Sequence, residues 1–312
     1  MKAVVIEHRG DEGTLKEIPT PRPAAHEILV HITAAGVNPI DWKRRDRGDE
    51  KLPFVLGQDF AGVVSATGDH VTKYREGERI FGISDQGAYA EYTIVPEDDP
   101  EQPIAKIPDS VGDADAAALP TAGLTALASI DALHVEKATT LLVLGATGGV
   151  GGFAVQIARD RQAHVIGTGG SSNAGLGRSL GLEEFIAYDR ENVVNAVKAA
   201  QPQGVDAVLD LVDGPDAIKP IADVVRAGGR IVSTIGAADV AWFAQRQITA
   251  QNLVSGKTPE HSHAGLRTLL ELLEQGRLHV TIADERPLAE AVDALAESKR
   301  GSVNGKLVIT VN

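Results

Sequence analysis

The chain has 312 residues, 43% of them hydrophobic and 4% aromatic, the composition of a soluble protein with a core large enough for two domains. Its 30 Lys and Arg against 43 Asp and Glu leave a formal charge of −13, which repels polyanions and argues against nucleic acid as a partner. The absence of cysteine excludes disulfides, thiolate nucleophiles and cysteine-ligated zinc.

The N-terminal stretch "MKAVVIEHRG" alternates like a strand and has neither the charged-then-apolar pattern nor the cleavage site of a secretory signal. No apolar run approaches the roughly 20 residues that cross a bilayer. A cytoplasmic protein without a membrane partner is therefore expected. Residues 1–110 break into short β-like runs, "KAVVIE", "EILVHITAAG", "AGVVSATG" and "AYAEYTIV", separated by Gly and Pro, and read as a small, mostly antiparallel β domain. From residue 111 the texture becomes Ala-rich and helical in "DADAAALPTAGLTALASI". Apolar strands then follow at 140–145, 163–168, 184–188, 205–212 and 229–236, with helical segments between them. That alternation predicts an α/β domain with a doubly wound parallel sheet covered on both faces. After a helix at 264–276, "LHVTIA", another helix and "GKLVITVN" return to the first domain. The expected division is 1–110, completed by about 279–312, and 111–278.

In "LLVLGATGGVGGFAVQIAR", residues 141–159, glycines lie between an apolar strand and a helix. The spacing Ala146-x-Gly148-x-x-Gly151, with Thr147, Gly149 and Val150 between, suits a turn whose N–H groups receive a dinucleotide pyrophosphate. A second strand about 20 residues on completes the expected context. That strand ends in "HVIGTGGSSN", 164–173, without an acid. A carboxylate there would accept from the ribose 2′-hydroxyl of NAD and repel a 2′-phosphate. Gly169, Gly170, Ser171, Ser172 and Asn173 are small, neutral and rich in donors, which predicts NADP(H). Ser171 is the leading phosphate contact, with Arg178 or Arg190 as counter-charge; alternatively Ser171 and Ser172 cap the following helix.

With "AAGVNPIDWKRR" at 34–45, "LPFVLGQDFAGVVSATGDHVTKYREGERIFG" at 52–82, "GAYAEY" at 87–92, "LPTAGLTAL" at 119–127, the glycine turn and "GKLVITV" at 305–311, the chain resembles the zinc-independent medium-chain dehydrogenases and reductases. Within them it resembles the quinone oxidoreductases of the zeta-crystallin type and the alkenal or enone reductases. The resemblance implies a GroES-like β domain, a Rossmann-type domain and a homodimer. Zinc alcohol dehydrogenases of the superfamily carry a ligand cysteine near Asn38 and a His-Glu pair near Gln58 and Asp59, and none of these ligands is present here. Carried over residue by residue, the resemblance puts Asn38 and Asp41 at the nicotinamide pocket and Thr125 near the carboxamide. It also puts Tyr188 against the 2′-phosphate, and Arg300 and Gly305-Lys306 among C-terminal cofactor contacts. Two positions depart from the pattern. A lysine common after the second strand is Ala174, and the tyrosine of many quinone oxidoreductases is Lys43, closer to the "NPxDxKRR" of the enone reductases.

Without a Lewis acid to form an alkoxide, the chemistry expected is hydride donation from NADPH to an electron-poor acceptor, a quinone or the β-carbon of a conjugated carbonyl, in a cleft between the two domains. Lys43 either stabilises or protonates the resulting enolate oxygen, or belongs with Arg44 and Arg45 to a solvated charge run. Asp41 orients Lys43, binds cofactor, or caps a helix starting at Pro39 or Ile40. Trp42 reads as core. Tyr89 and Tyr92 read as one strand with opposite faces, and His31 and His164 as buried and satisfied. A metal at "HSHAG", 261–265, lacks carboxylate or cysteine support. The alternative to an enzyme is a catalytically silent NADPH-binding redox sensor or interaction protein.

Overall fold

A computed structural model describes residues 1–301 and 303–311 of the chain. It forms two compact units, Met1–Ala122 with His261–Glu274 and Val280–Asn312, and Gly123–Glu260 with Gln275–His279. In chain order the first unit contributes β1 (Lys2–Ile6), β2 (Thr14–Glu17), β3 (Glu27–Val37), α1 (Pro39–Arg47), β4 (Phe54–Val55), β5 (Asp59–Thr67), β6 (Arg79–Ile83), β7 (Tyr92–Pro96), β8 (Ile104–Lys106) and α2 (Asp113–Ala118). Helix α3 (Pro120–Ala132) leads into β9 (Thr140–Leu144), α4 (Gly149–Asp160), β10 (His164–Gly169), α5 (Ala174–Ser179), β11 (Glu184–Ala187), α6 (Val193–Ala200), β12 (Val205–Asp210), β13 (Val225–Ser233), α7 (Val240–Ala244) and β14 (Thr249–Asn252). The chain closes with α8 (His263–Glu274), β15 (Ile282–Pro287), α9 (Ala291–Arg300) and β16 (Lys306–Thr310).

The first unit holds a sheet of order β15-β16-β3-β5-β6-β8, with β7 also on β3, and a small sheet β2-β1-β4. Every pairing in them is antiparallel except β15 with β16. Strand β3 is the spine. Its eleven residues alternate little because both faces are covered, leaving Ile28, Val30, Ile32 and Ala35 in one core with Phe60, Ile80, Leu295 and Ile309. The terminal strand thus returns to the β unit, beside β3.

The second unit is a parallel sheet of order β11-β10-β9-β12-β13-β14. This is the doubly wound order, reversing between β9 and β12, where such sheets bind ligand beyond the strand ends. Leu142, Leu144, Ile166, Val208 and Ile231 form its core with Phe243. Among the described residues, no helix is long and apolar enough to cross a membrane.

The composition changes at 111, yet the first unit extends to Ala122 because α2 packs on β3 and β5. Helix α8 also belongs to the first unit, not with 111–278: Leu266, Leu269 and Leu270 are buried and the helix packs on β8. The Ala-rich helical stretch is two helices, broken between Ala118 and Pro120. His164 is half-exposed, not buried, and lies against Glu183 and Gln201.

Candidate functional site

In the first unit the site is built at the C-terminal end of β3. Gly36 pairs with Asp59 of β5, Val37 pairs with Leu307 of β16, and Asn38 is the next residue of the chain. Asn38 therefore stands between the starts of the two flanking strands. Its Oδ1 accepts from Lys306 Nζ, which also donates to Val37 O at 2.9 Å, and its Nδ2 donates to Asp59 Oδ2 at 2.8 Å. Thr121 completes the set, donating its N–H to Asp59 Oδ2 at 3.0 Å and its hydroxyl to Asp59 Oδ1 at 2.6 Å. All four of Asn38, Asp41, Asp59 and Lys306 are buried.

Asn38 is also the N-cap of α1, with Pro39 in the first helical position. The reciprocal contact comes from Asp41, whose Oδ2 accepts the Asn38 N–H at 2.8 Å and the Tyr89 hydroxyl at 2.9 Å. Its Oδ1 is buried without a partner. Tyr89 reaches this carboxylate because Gly57, at φ +82°, leaves its ring room: a Cβ on Gly57 would lie 2.4 Å from Tyr89 Cδ1.

Burial governs the electrostatics. It pushes the Asp41 carboxyl from 3.8 up to about 7, against the Asn38 N–H and Tyr89 hydroxyl and with help from the Asp59 charge. Burial likewise raises Asp59, opposed by Lys306, Thr121 and Asn38, and lowers Lys306, opposed by the two carboxylates. The Tyr89 phenol is held well above its ordinary value by burial and by Asp41.

These donors do not fit a zinc ion. Both ends of the Asn38 amide and both oxygens of Asp59 are bonded, the Gln58 amide donates to Asp85 at 3.3 Å, and an ammonium already supplies the positive charge.

Lys43 lies one residue beyond Trp42 on α1, half-buried, its Nζ 5.5 Å from the Trp42 ring centroid. Its neighbours differ: Arg44 pairs with Glu50 at 2.7 Å and Arg45 with Asp46 at 2.9 Å. Asp41 does not orient Lys43, since two residues apart on a helix they face different ways and Asp41 is committed to Asn38 and Tyr89. Tyr89 lies outside the strand that begins at Tyr92. Lys306, expected at the cofactor, lies in the buried cluster beside Asn38, and Arg300 is the exposed last residue of α9.

In the second unit, Gly145, Ala146, Thr147 and Gly148 form the turn from β9 into α4, with Gly148 as N-cap and Gly149, Val150 and Gly151 as the first helical residues. No side chain caps that end, and the first N–H groups of a helix have no partner within it. Outside its own chain neighbours and helix, a Cβ on Gly148 would meet just Gly145 O, at 3.5 Å, among the described residues, so the backbone here is open, as close approach of a pyrophosphate requires. The turn fits a dinucleotide. Ala146 and Thr147 of the turn are buried, and so is Thr125 of α3 in the same unit.

At the end of β10, Gly170 precedes a 3-10 turn over Ser171–Asn173. The strand-end residues are neutral, but the space is not. Asp189 Oδ1 accepts the Ser171 N–H at 2.8 Å and Asp189 Oδ2 accepts the Ser171 hydroxyl at 2.7 Å. Arg190 Nε is 3.4 Å from Ser171 Oγ and 4.0 Å from Asp189 Oδ2, Ser172 and Arg178 are exposed, and Tyr188 is 62% exposed. Sequence reading missed Asp189 altogether. Parallel register is the signal: Gly169 pairs with Ala187, which sets Ser171 beside Asp189 two residues on.

The family model described as "Alcohol dehydrogenase GroES-like domain" matches residues 24–109, and one described as "Zinc-binding dehydrogenase" matches residues 180–309. The chain is 30% identical to a chloroplast envelope quinone oxidoreductase homolog of Arabidopsis thaliana, over 94% of this chain and 92% of that one. It is 32% identical to a 2-methylene-furan-3-one reductase of Solanum lycopersicum, over 99% and 79% respectively. The solved quinone oxidoreductase from Coxiella burnetii superposes with a TM-score of 0.88 at 33% identity, covering 100% of this chain and 99% of the other.

Proposed function

Because the chain belongs to the quinone oxidoreductase branch of the medium-chain dehydrogenases and reductases, we propose that it works without zinc, reducing a quinone or the β-carbon of an α,β-unsaturated carbonyl. The observation that carries this reading is the Asn38 amide, bonded to Lys306 on one side and Asp59 on the other. A fixed ammonium balances the buried carboxylate where the zinc enzymes hold a metal, so the acceptor must be electrophilic on its own.

When bound, the reduced nicotinamide dinucleotide supplies the hydride. The turn at Gly148–Gly151 holds the pyrophosphate. Addition of hydride to a β-carbon moves an electron pair onto the carbonyl oxygen, and Lys43, which among the described residues is the member of its basic run not engaged by an acid, balances that charge and donates a proton to the enolate, regaining one from solvent. Asp41 and Tyr89 position the start of the helix that carries Lys43.

The test is consumption of NADH and NADPH against a panel of quinones, enals and enones, with and without prior dialysis against a strong chelator. Turnover of either acceptor class, unchanged by chelation, is the expected result. Turnover of simple alcohols that chelation abolishes would sink the zinc-free reading, and no turnover with any acceptor would favour a silent sensor.

A further inference from the structure

Two donors of one residue, the N–H and hydroxyl of Ser171, define a small anion-accepting position beyond the end of β10, where a doubly wound unit meets the adenosine ribose of its cofactor. Here that position already holds an anion. Asp189 binds both donors at 2.8 and 2.7 Å, and these contacts hold its carboxyl below the usual carboxylate range.

We propose that Asp189, reaching Ser171 from the turn that follows the neighbouring strand, selects NAD(H) over NADP(H) in this chain. The inference rests on reading the second unit as a nicotinamide dinucleotide site and reverses the preference that the neutral residues 169–173 suggest. Three features support it. A 2′-phosphate carries about −1.5 to −2 charge near neutral pH and would have to displace Asp189 from Ser171 or sit against it, whereas a 2′-hydroxyl donates to the carboxylate without displacing anything. The nearby cation does not restore the balance: Arg190 is 4.0 Å from Asp189 and three-quarters exposed, one positive charge for two anions. Finally, the next helix begins with Ala174, so that position adds no positive charge for a phosphate. The acid that would normally end the second strand is thus supplied by the turn after the third, through the register that pairs Gly169 with Ala187.

The experiment is isothermal titration of the full-length protein with NADH and with NADPH, on wild type, Asp189→Asn and Asp189→Glu, with melting temperatures alongside to show that each variant is folded. Asp189 is exposed and lies in the turn after β11, so both substitutions leave the core untouched. Wild type should bind NADH at least about tenfold more tightly than NADPH. Asp189→Asn should shift the ratio of the two constants toward NADPH by about tenfold or more, mainly through tighter NADPH binding, and added salt should shrink that shift. Asp189→Glu should keep the wild-type order. Tighter binding of NADPH by wild type, or a ratio unmoved in Asp189→Asn, overturns the inference and leaves the dinucleotide site standing. Binding of neither dinucleotide overturns both.

Discussion

Asp59 and Lys306 are joined through a single side chain: the Asn38 amide receives the Lys306 ammonium on its oxygen and gives its nitrogen to the Asp59 carboxylate at 2.8 Å. The pair is buried, and its partners come from the starts of two strands, β5 and β16, that flank β3 on opposite sides. An isolated buried charge of either sign would cost several kcal/mol. Relayed through the amide, each charge finds both an opposite charge and hydrogen bonds.

Removing one partner should therefore hurt far more than removing both. Lys306→Met is expected to lower unfolding stability by about 3–5 kcal/mol, because Asp59 is left buried and uncompensated. Asp59→Asn with Lys306→Met should recover a large part of that loss. Urea unfolding of the single and double variants gives the coupling directly; additive losses would mean that the two charges do not see one another.

The doubly wound unit is legible in the sequence because its strands are near-continuous apolar runs alternating with helices, whereas the order that reverses between β9 and β12 is set by the pairing of the strands. Strand β14 is not, since Thr249–Asn252 is polar and only Ala250 of it is buried. The buried cluster is half legible. Asn38 and Asp41 lie in one short motif, whereas Lys306 joins Asn38 across 268 positions of chain and Tyr89 enters through the bare backbone of Gly57. Ser171 stands in the strand-end motif itself, but the acid against it is 18 positions away in the chain and comes alongside only when Gly169 is paired with Ala187.

Asp41 makes stability depend on pH in the unusual direction. Its carboxyl titrates at about 7 when folded, against 3.8 ordinarily, so between those values the folded chain holds a proton that the unfolded chain has released. Its contribution therefore falls as pH rises from about 4 to 7, with a slope approaching 1.4 kcal/mol per pH unit, and levels off above. Chemical denaturation of wild type and Asp41→Asn at pH 4.5, 6 and 8 should show wild type losing ground to the variant by a few kcal/mol over that range. A difference that does not vary with pH would assign Asp41 an ordinary titration. Tyr89→Phe, which removes the hydroxyl donated to Oδ2, should carry the declining region to higher pH.

Lys43 is separable from its basic neighbours because, among the described residues, they are paired with acids and it is not: Arg44 has Glu50, Arg45 has Asp46 and Arg47 lies 3.5 Å from Asp49. Lys43→Met, which keeps an unbranched apolar stem beside Trp42, should lower kcat about a hundredfold with a smaller change in KM. Arg47→Met should leave kcat unaltered. Equal, small effects from both would return Lys43 to a solvated charge run and leave hydride transfer to positioning alone.

Gly148 and Gly151 occupy one turn but should fail in different ways when given a methyl group. At Gly151 a Cβ would lie 2.2 Å from Gly145 O and 2.8 Å from Ala146 Cα. Both are backbone atoms that cannot move without opening the junction of β9 with α4, so Gly151→Ala should lower the melting temperature markedly. At Gly148 the backbone angles, φ −76° and ψ 176°, suit any residue, and the nearest atom is 3.5 Å away. Gly148→Ala should thus melt within about 3 °C of wild type, yet bind dinucleotide at least about tenfold more weakly, because the methyl fills the bare backbone that a pyrophosphate needs. If its affinity matched that of wild type, the turn would be serving strand-to-helix packing alone, and the dinucleotide would have to be held elsewhere.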